Sequence, residues 1–148
     1  MHERSECLSG TFCFLNDFNY MKKTKGKLVP KEKTKYAGIH LIAEFWGCRK
    51  IIEDPKEIKR ILIEAAKAAG NIPLEVTFHK FSPQGMTGVV LLAESHIALH
   101  SWPEMNYLAI DIFTCGEKAM PKTALLVLKK YFQPKKVKII KIKRGVIS

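Results

Sequence analysis

The chain has 148 residues, 47% hydrophobic and 26% charged, with a formal net charge of +11, which is the size and balance of one globular domain with room for a real core. No apolar run reaches the roughly 18 residues of a membrane span, and the opening residues mix acids with short apolar pieces, a poor secretory leader, so a cytoplasmic protein is expected. The four cysteines, Cys7, Cys13, Cys48 and Cys115, form no CxxC pair, which argues against a disulfide framework or a zinc ribbon and fits reduced thiols.

Residues 1–20 differ in composition from the rest of the chain and are expected to form an N-terminal extension to a single domain over 21–148. Segment 21–36, MKKTKGKLVPKEKTKY, carries seven lysines. GIHLIAEFWG, 38–47, reads as a strand. Asp54 is a natural N-cap with Pro55 at the first helical position. The helix over 55–70 then places Ile58, Ile61, Leu62 and Ala65 on one face and stops at Gly70. IPLEVTFHKF, 72–81, alternates as a strand, and SPQG, 82–85, is a turn. TGVVLLAE, 87–94, is a strand that SHIALHSW is expected to continue as far as Pro103. YLAIDIFTC, 107–115, alternates cleanly. A second helix is expected over about 118–132, with Pro121 limiting its start, and VKIIKIK, 137–143, is a last strand. Residues 129–144 hold eight basic residues and no acid. No aromatics interleave these lysines as a base-stacking surface requires, so a solvated basic surface is favoured over nucleic-acid binding.

The order β-α-β-β-β-α-β predicts an α+β two-layer sandwich, a mainly antiparallel sheet with helices on one face. Leu108, Ile110 and Ile112 share the face that should meet the helices. Tyr107, Ala109, Asp111, Phe113 and Cys115 share the other, as do Glu75, Thr77, His79 and Phe81 on their own strand. A sheet face rich in aromatics, His and Cys points to a site, an interface, or both.

LLAESHIALHSW, 91–102, interrupts an apolar strand with Glu94, Ser95 and His96, and His100 comes four residues later. In an extended segment His96 and His100 lie roughly 13 Å apart at about 3.3 Å per residue. Zinc–nitrogen bonds are about 2 Å, so no metal is assigned. No GxSxG elbow surrounds Ser95, which argues against a serine hydrolase. A third chemistry is self-cleavage. The Ser95 hydroxyl attacks the Glu94 carbonyl to make an ester, and a base removes the serine α-proton to eliminate it. Hydrolysis of the dehydroalanine then leaves a pyruvoyl group, whose ketone can form a Schiff base with an amine and act as an electron sink. Taken alone, Glu94-Ser95-His96 is a weak signal and reads first as a polar break near a strand end.

The longer block AESHIALHSWPEMNYLAIDIFTCG, 93–116, closely resembles the self-processing segment of prokaryotic S-adenosylmethionine decarboxylase, with its ESH, H(T/S)WPE and D-x-FTCG elements. FSPQGMTGVVLLAESH upstream and GIHLIAEFWGC, 38–48, are similar to its run into the cleavage site and its first strand. The resemblance implies cleavage between Glu94 and Ser95 into a β chain of 1–94 and an α chain of 95–148, with Ser95 as the pyruvoyl cofactor. It implies His100 as the processing base, Thr87 as a processing assistant where the family commonly has serine, and Cys115 as the acid that reprotonates the substrate. An ordinary thiol, with a pKa near ~8.5, is a plausible donor at neutral pH. Phe81 and Trp102 match positions that stack on adenine, and Glu104 matches the residue that binds the ribose hydroxyls. Met105-Asn106 stands where the family often has Tyr-Gly, and Glu44 where aspartate is common. The family makes homodimers whose sheets pack face to face, and its product is the aminopropyl donor for spermidine synthesis. Arginine or ornithine decarboxylation by the same cofactor is the nearest alternative, disfavoured because Phe81, Trp102 and Glu104 would have no adenosine to hold. A basic nucleic-acid-binding protein with a dead site is the alternative from another class.

Overall fold

Six strands join in one antiparallel sheet, ordered β2-β3-β4-β5-β1-β6. The computed structural model describes residues 35–116 and 119–147. The expected extension 1–20 and nearly all of the lysine segment 21–36 lie outside them. In chain order the elements are β1 (Lys35–Trp46), α1 (Pro55–Ala68), β2 (Pro73–Lys80), β3 (Met86–Leu92), β4 (Ser95–Trp102), a single 3-10 turn (Pro103–Met105), β5 (Tyr107–Cys115), α2 (Pro121–Phe132) and β6 (Lys136–Ile147). None of the described helices is long and apolar enough to cross a membrane.

The two-layer α+β arrangement expected from the pattern is the one observed. α1 begins where the Asp54 carboxylate accepts the Glu57 backbone N–H at 2.9 Å, with Pro55 in the first turn. Its apolar stripe, Ile58, Ile61, Leu62, Ala65 and Ala66, is fully buried. α1 packs over β2 and β3 and α2 over β5 and β1, and the α1 stripe joins Val90, Leu99, Leu108, Ile110 and Ile112 of the sheet and Leu125, Leu128 and Phe132 of α2 in one buried core. Gly88 on β3 lets α1 come close: a Cβ there would lie 3.3 Å from both Ile58 Cγ2 and Leu62 Cδ1. Burial of about 22 apolar side chains supplies the main driving force for this layering.

Several boundaries differ from the expectation, and β1 begins at Lys35 rather than Gly38. α2 starts at Pro121 rather than near 118, because a residue before proline is pushed out of the helical region, and Met120 sits at φ −119°, ψ 70°. β6 runs on to Ile147, since its ladder with β1 continues to Lys35 beyond the apolar alternation. The largest difference lies at 87–102, which is not one long strand. The chain reverses at Ala93-Glu94, Leu92 pairs with Ser95, and β3 and β4 form a hairpin. No Gly, Asn or Pro marks this turn. Glu94 itself takes the left-handed conformation, φ 78°, and the Ala93 N–H donates to the Ile72 carbonyl at 3.0 Å.

Replacing the cap, Asp54→Ala, should leave the Glu57 N–H without its side-chain acceptor and cost about 1 kcal/mol. A lowered urea midpoint at unchanged slope is the expected reading.

Candidate active site

The sheet face turned away from the helices carries most of the aromatic and titratable side chains singled out from sequence. Tyr107, Ala109, Asp111, Phe113 and Cys115 are half-buried there, alternating with the buried Leu108, Ile110, Ile112 and Thr114, as the period-two pattern anticipates. The residues singled out from sequence fall at the two opposite ends of the β3–β4 hairpin.

At the open end of the hairpin, Thr87 and His100 are cross-strand partners. Thr87 Oγ1 and His100 Nδ1 share a hydrogen bond of 2.9 Å. The His100 ring neighbours Trp102, with centroids 6.2 Å apart, and Trp102 leans on Tyr107 at 5.2 Å. Phe81 sits at the end of β2, where its N–H donates to the Gly85 carbonyl. Pro103 opens the 3-10 turn that carries Glu104, whose carboxylate accepts from Gln84 Nε2 at 3.2 Å. Phe81, Gln84, Thr87, His100, Trp102 and Glu104 line a cavity of about 400 Å³. Phe81 is 50% exposed and Trp102 37% exposed, so two aromatic faces stand open beside a carboxylate.

The turn end holds Ser95 and Cys115. Ser95 comes directly after the left-handed Glu94, and its buried Oγ has no hydrogen-bond partner among the described residues. Cys115 closes β5 opposite Gly38. Gly38 leaves space for the thiol, since a Cβ there would lie 2.9 Å from Cys115 Sγ and 2.9 Å from the Phe113 ring. Cys115 also lines a second cavity of about 300 Å³ with Ile72 and Ala93 of the turn region.

His100 does not bend back towards Ser95. β4 is hydrogen-bonded on both sides without a bulge, Thr87↔His100 to β3 and His100↔Ala109 to β5. Five steps of extended strand separate Ser95 from His100, about 17 Å at ~3.3 Å per step. Within one chain, therefore, Thr87, His100, Phe81, Trp102 and Glu104 come together at the open end, Ser95 and Cys115 lie at the turn end, and the two groups stay apart. Among the described residues no group of three or more His, Cys, Asp and Glu side chains is placed to hold a metal ion.

The family model described as S-adenosylmethionine decarboxylase matches residues 39–145, both ends of the hairpin included. The chain belongs to the S-adenosylmethionine decarboxylase family. It is 46% identical over 115 residues to an S-adenosylmethionine decarboxylase proenzyme of Methanococcus vannielii, covering 77% of this chain and 94% of that protein. It is 48% identical over 112 residues to the proenzyme of that name from Moorella thermoacetica, covering 75% and 90%. The crystal structure of the adenosylmethionine decarboxylase from Aquifex aeolicus superposes with a TM-score of 0.71 at 31% identity, covering 77% of this chain and 95% of that one.

This S-adenosylmethionine decarboxylase fold also assembles groups that sequence reasoning did not single out. His40 Nε2–H donates to Asp111 Oδ1 at 3.0 Å, and Arg144 Nη1–H donates to His40 Nδ1 at 3.2 Å. The His40 and His96 rings both pack on Phe113, at 5.6 and 5.9 Å. The members come from β1, β4, β5 and β6, up to 104 residues apart, so only the strand register brings them together. Tyr107 O–H donates to Glu44, the residue that departs from the usual aspartate. Burial of the phenol, and then the bond to and charge of Glu44, push the Tyr107 pKa up to about 12. Burial likewise pushes the Cys48 thiol up to about 11, which leaves it inert as a nucleophile.

Ultraviolet titration should find Tyr107 keeping its proton to about pH 12. The Tyr107→Phe difference spectrum identifies its signal. Because the folded pKa is raised above that of the unfolded chain, the stability linked to this phenol is present below about pH 10 and is lost as the pH climbs through about 12. Glu44→Gln should move that upper limit down.

Proposed function

We infer that this protein decarboxylates S-adenosylmethionine with a pyruvoyl group made from its own Ser95. The observation that carries the reading is the Glu94-Ser95 peptide. On its N-terminal side is a non-glycine residue held at φ 78°, and on its C-terminal side a buried, unpartnered hydroxyl. A left-handed glutamate stores backbone strain, and breaking the bond after it releases that strain. Strain and nucleophile therefore meet at one peptide bond.

A pyruvoyl ketone supplies the electron sink that loss of carbon dioxide from an α-amino acid requires. The chain's own residues do the rest. Thr87 fixes the orientation of the His100 ring through the 2.9 Å bond, which suits His100 to take the α-proton of Ser95 during processing. Cys115 gives a proton to the substrate carbon afterwards. The exposed Phe81 and Trp102 rings beside Glu104 suit a purine and a ribose diol, and aromatic faces also favour a sulfonium cation. Arginine or ornithine would leave this cavity without use.

The 17 Å gap, about five steps of strand, bears on assembly. One chain cannot bring its His100 to its own Ser95, so the site is completed by a second copy. Two outer sheet faces packed together, in antiparallel sense, would set the His100 end of one chain against the Ser95 end of the other. The half-buried aromatic face is suited to that contact.

Intact mass tests the processing: the chain should split into 1–94 and a pyruvoyl-capped 95–148, and Ser95→Ala should stay whole and inactive. A wild-type chain that stays whole after purification would overturn the reading. Carbon dioxide should be released from S-adenosylmethionine and not from arginine or ornithine. Cys115→Ala should still cleave, with turnover down by about 10²–10⁴-fold. Co-expression tests the shared site. A His100→Ala chain, uncleaved by itself, should be cleaved when paired with a Ser95→Ala chain that still offers His100. Absence of cleavage in the mixed dimer would count against completion by the partner.

A further inference from the structure

The helix-facing side of β5 reads Leu108, Ile110, Ile112 and then Thr114, all buried. Thr114 breaks an aliphatic row. It is 1% exposed, and its Oγ1, like Ser95 Oγ, is a buried side-chain oxygen with no hydrogen-bond partner among the described residues. These are the only two such atoms found there. The β4–β5 ladder pairs Ile97↔Ile112 and ends at His96↔Phe113; carried one residue further, the same register places Ser95 opposite Thr114. Ser95 shares the strand parity of the buried Ile97, Leu99 and Ser101, and Thr114 that of the buried Ile112, so both side chains leave the sheet on the helix side. Directly opposed residues have Cβ atoms about 5 Å apart, within reach of a hydroxyl–hydroxyl bond after a small rotation.

A buried hydroxyl without a partner is costly, and valine would fill the same volume without that cost. The cost is explained if the hydroxyl is used. We propose that Thr114 is a positioning residue for self-cleavage, its buried hydroxyl accepting a hydrogen bond from Ser95 Oγ–H and thereby aiming the Ser95 oxygen at the Glu94 carbonyl. In the step it serves, the Ser95 Oγ–C bond to Glu94 forms and the Glu94–Ser95 C–N bond breaks. The hydroxyl proton ends on the Ser95 nitrogen, and no other reactant is consumed. Thr114 acts before His100, which serves the later elimination, and it lies on the other face of the sheet. The inference rests on the pyruvoyl reading and adds a residue to its first step.

The test compares wild type, Thr114→Val, Thr114→Ser and His100→Ala by intact mass, with and without hydroxylamine, which cuts esters and spares amides. Wild type should cleave; if it does not, the pyruvoyl reading fails and the role of Thr114 falls with it. Thr114→Val should cleave about 10–100-fold more slowly, and its whole chain should resist hydroxylamine because the ester has not formed. Thr114→Ser, which keeps the hydroxyl, should cleave like wild type. His100→Ala should accumulate a whole chain that hydroxylamine cuts. In the uncleavable Ser95→Ala background, Thr114→Val should match or exceed the parent in urea midpoint. Cleavage of Thr114→Val at the wild-type rate, accumulation of its ester, or a lowered midpoint would each overturn the proposal while leaving the pyruvoyl reading intact.

Discussion

The arrangement of the site depends on one reversal of two residues. Leu92 and Ser95 face each other across the hairpin, and the chain gets from one to the other through Ala93 and Glu94 alone. The tight turn forces a left-handed residue, and glutamate is not the residue that tolerates it best. β3 and β4 hold the turn in place with a full antiparallel ladder, and β5 holds β4 from the other side. The fold thus over-determines a strained peptide, which is the condition for keeping one.

That ladder has a second effect. It keeps β4 straight, so the groups near Ser95 and the groups near His100 cannot converge within a chain. Each end has its own cavity and character. The turn end offers a thiol, a small space cleared by Gly38 and a buried serine. The open end offers a histidine tied to a threonine, two open aromatic rings and a carboxylate. Division of a site between the ends of one strand makes pairing of two chains a chemical need in the proposed mechanism, beyond its use in covering an apolar face.

The two faces of the sheet divide the remaining work. The helix side is almost wholly aliphatic, with Ser101 and Thr114 its buried polar members. Ser101 Oγ is bonded to the Met86 N–H and carbonyl, which ties β4 to β3. Thr114 has no such tie, and this contrast singles it out. The outer side carries rings and titratable groups in register: His40, Phe113 and His96 on adjacent strands, and Tyr107 against Glu44.

Local pattern determined much of this protein. The α1 boundaries came from Asp54, Pro55 and Gly70, the alternation in β5 identified both of its faces, and the element order implied an antiparallel sheet with helices on one side. The composite block from Phe81 to Gly116 pointed to the family because it spells out several residue types at set spacings. The sequence could not reveal the Ala93-Glu94 turn, since no glycine, asparagine or proline marks it and the Glu94-Ser95-His96 polar break fits one extended strand as well. Nor could it place His40 beside Asp111 and Arg144. Those neighbours lie far apart along the chain, and a one-residue slip in strand register would send each side chain to the opposite face. Only the assembled sheet sets that register, and with it which groups meet and which remain about 17 Å apart along one strand.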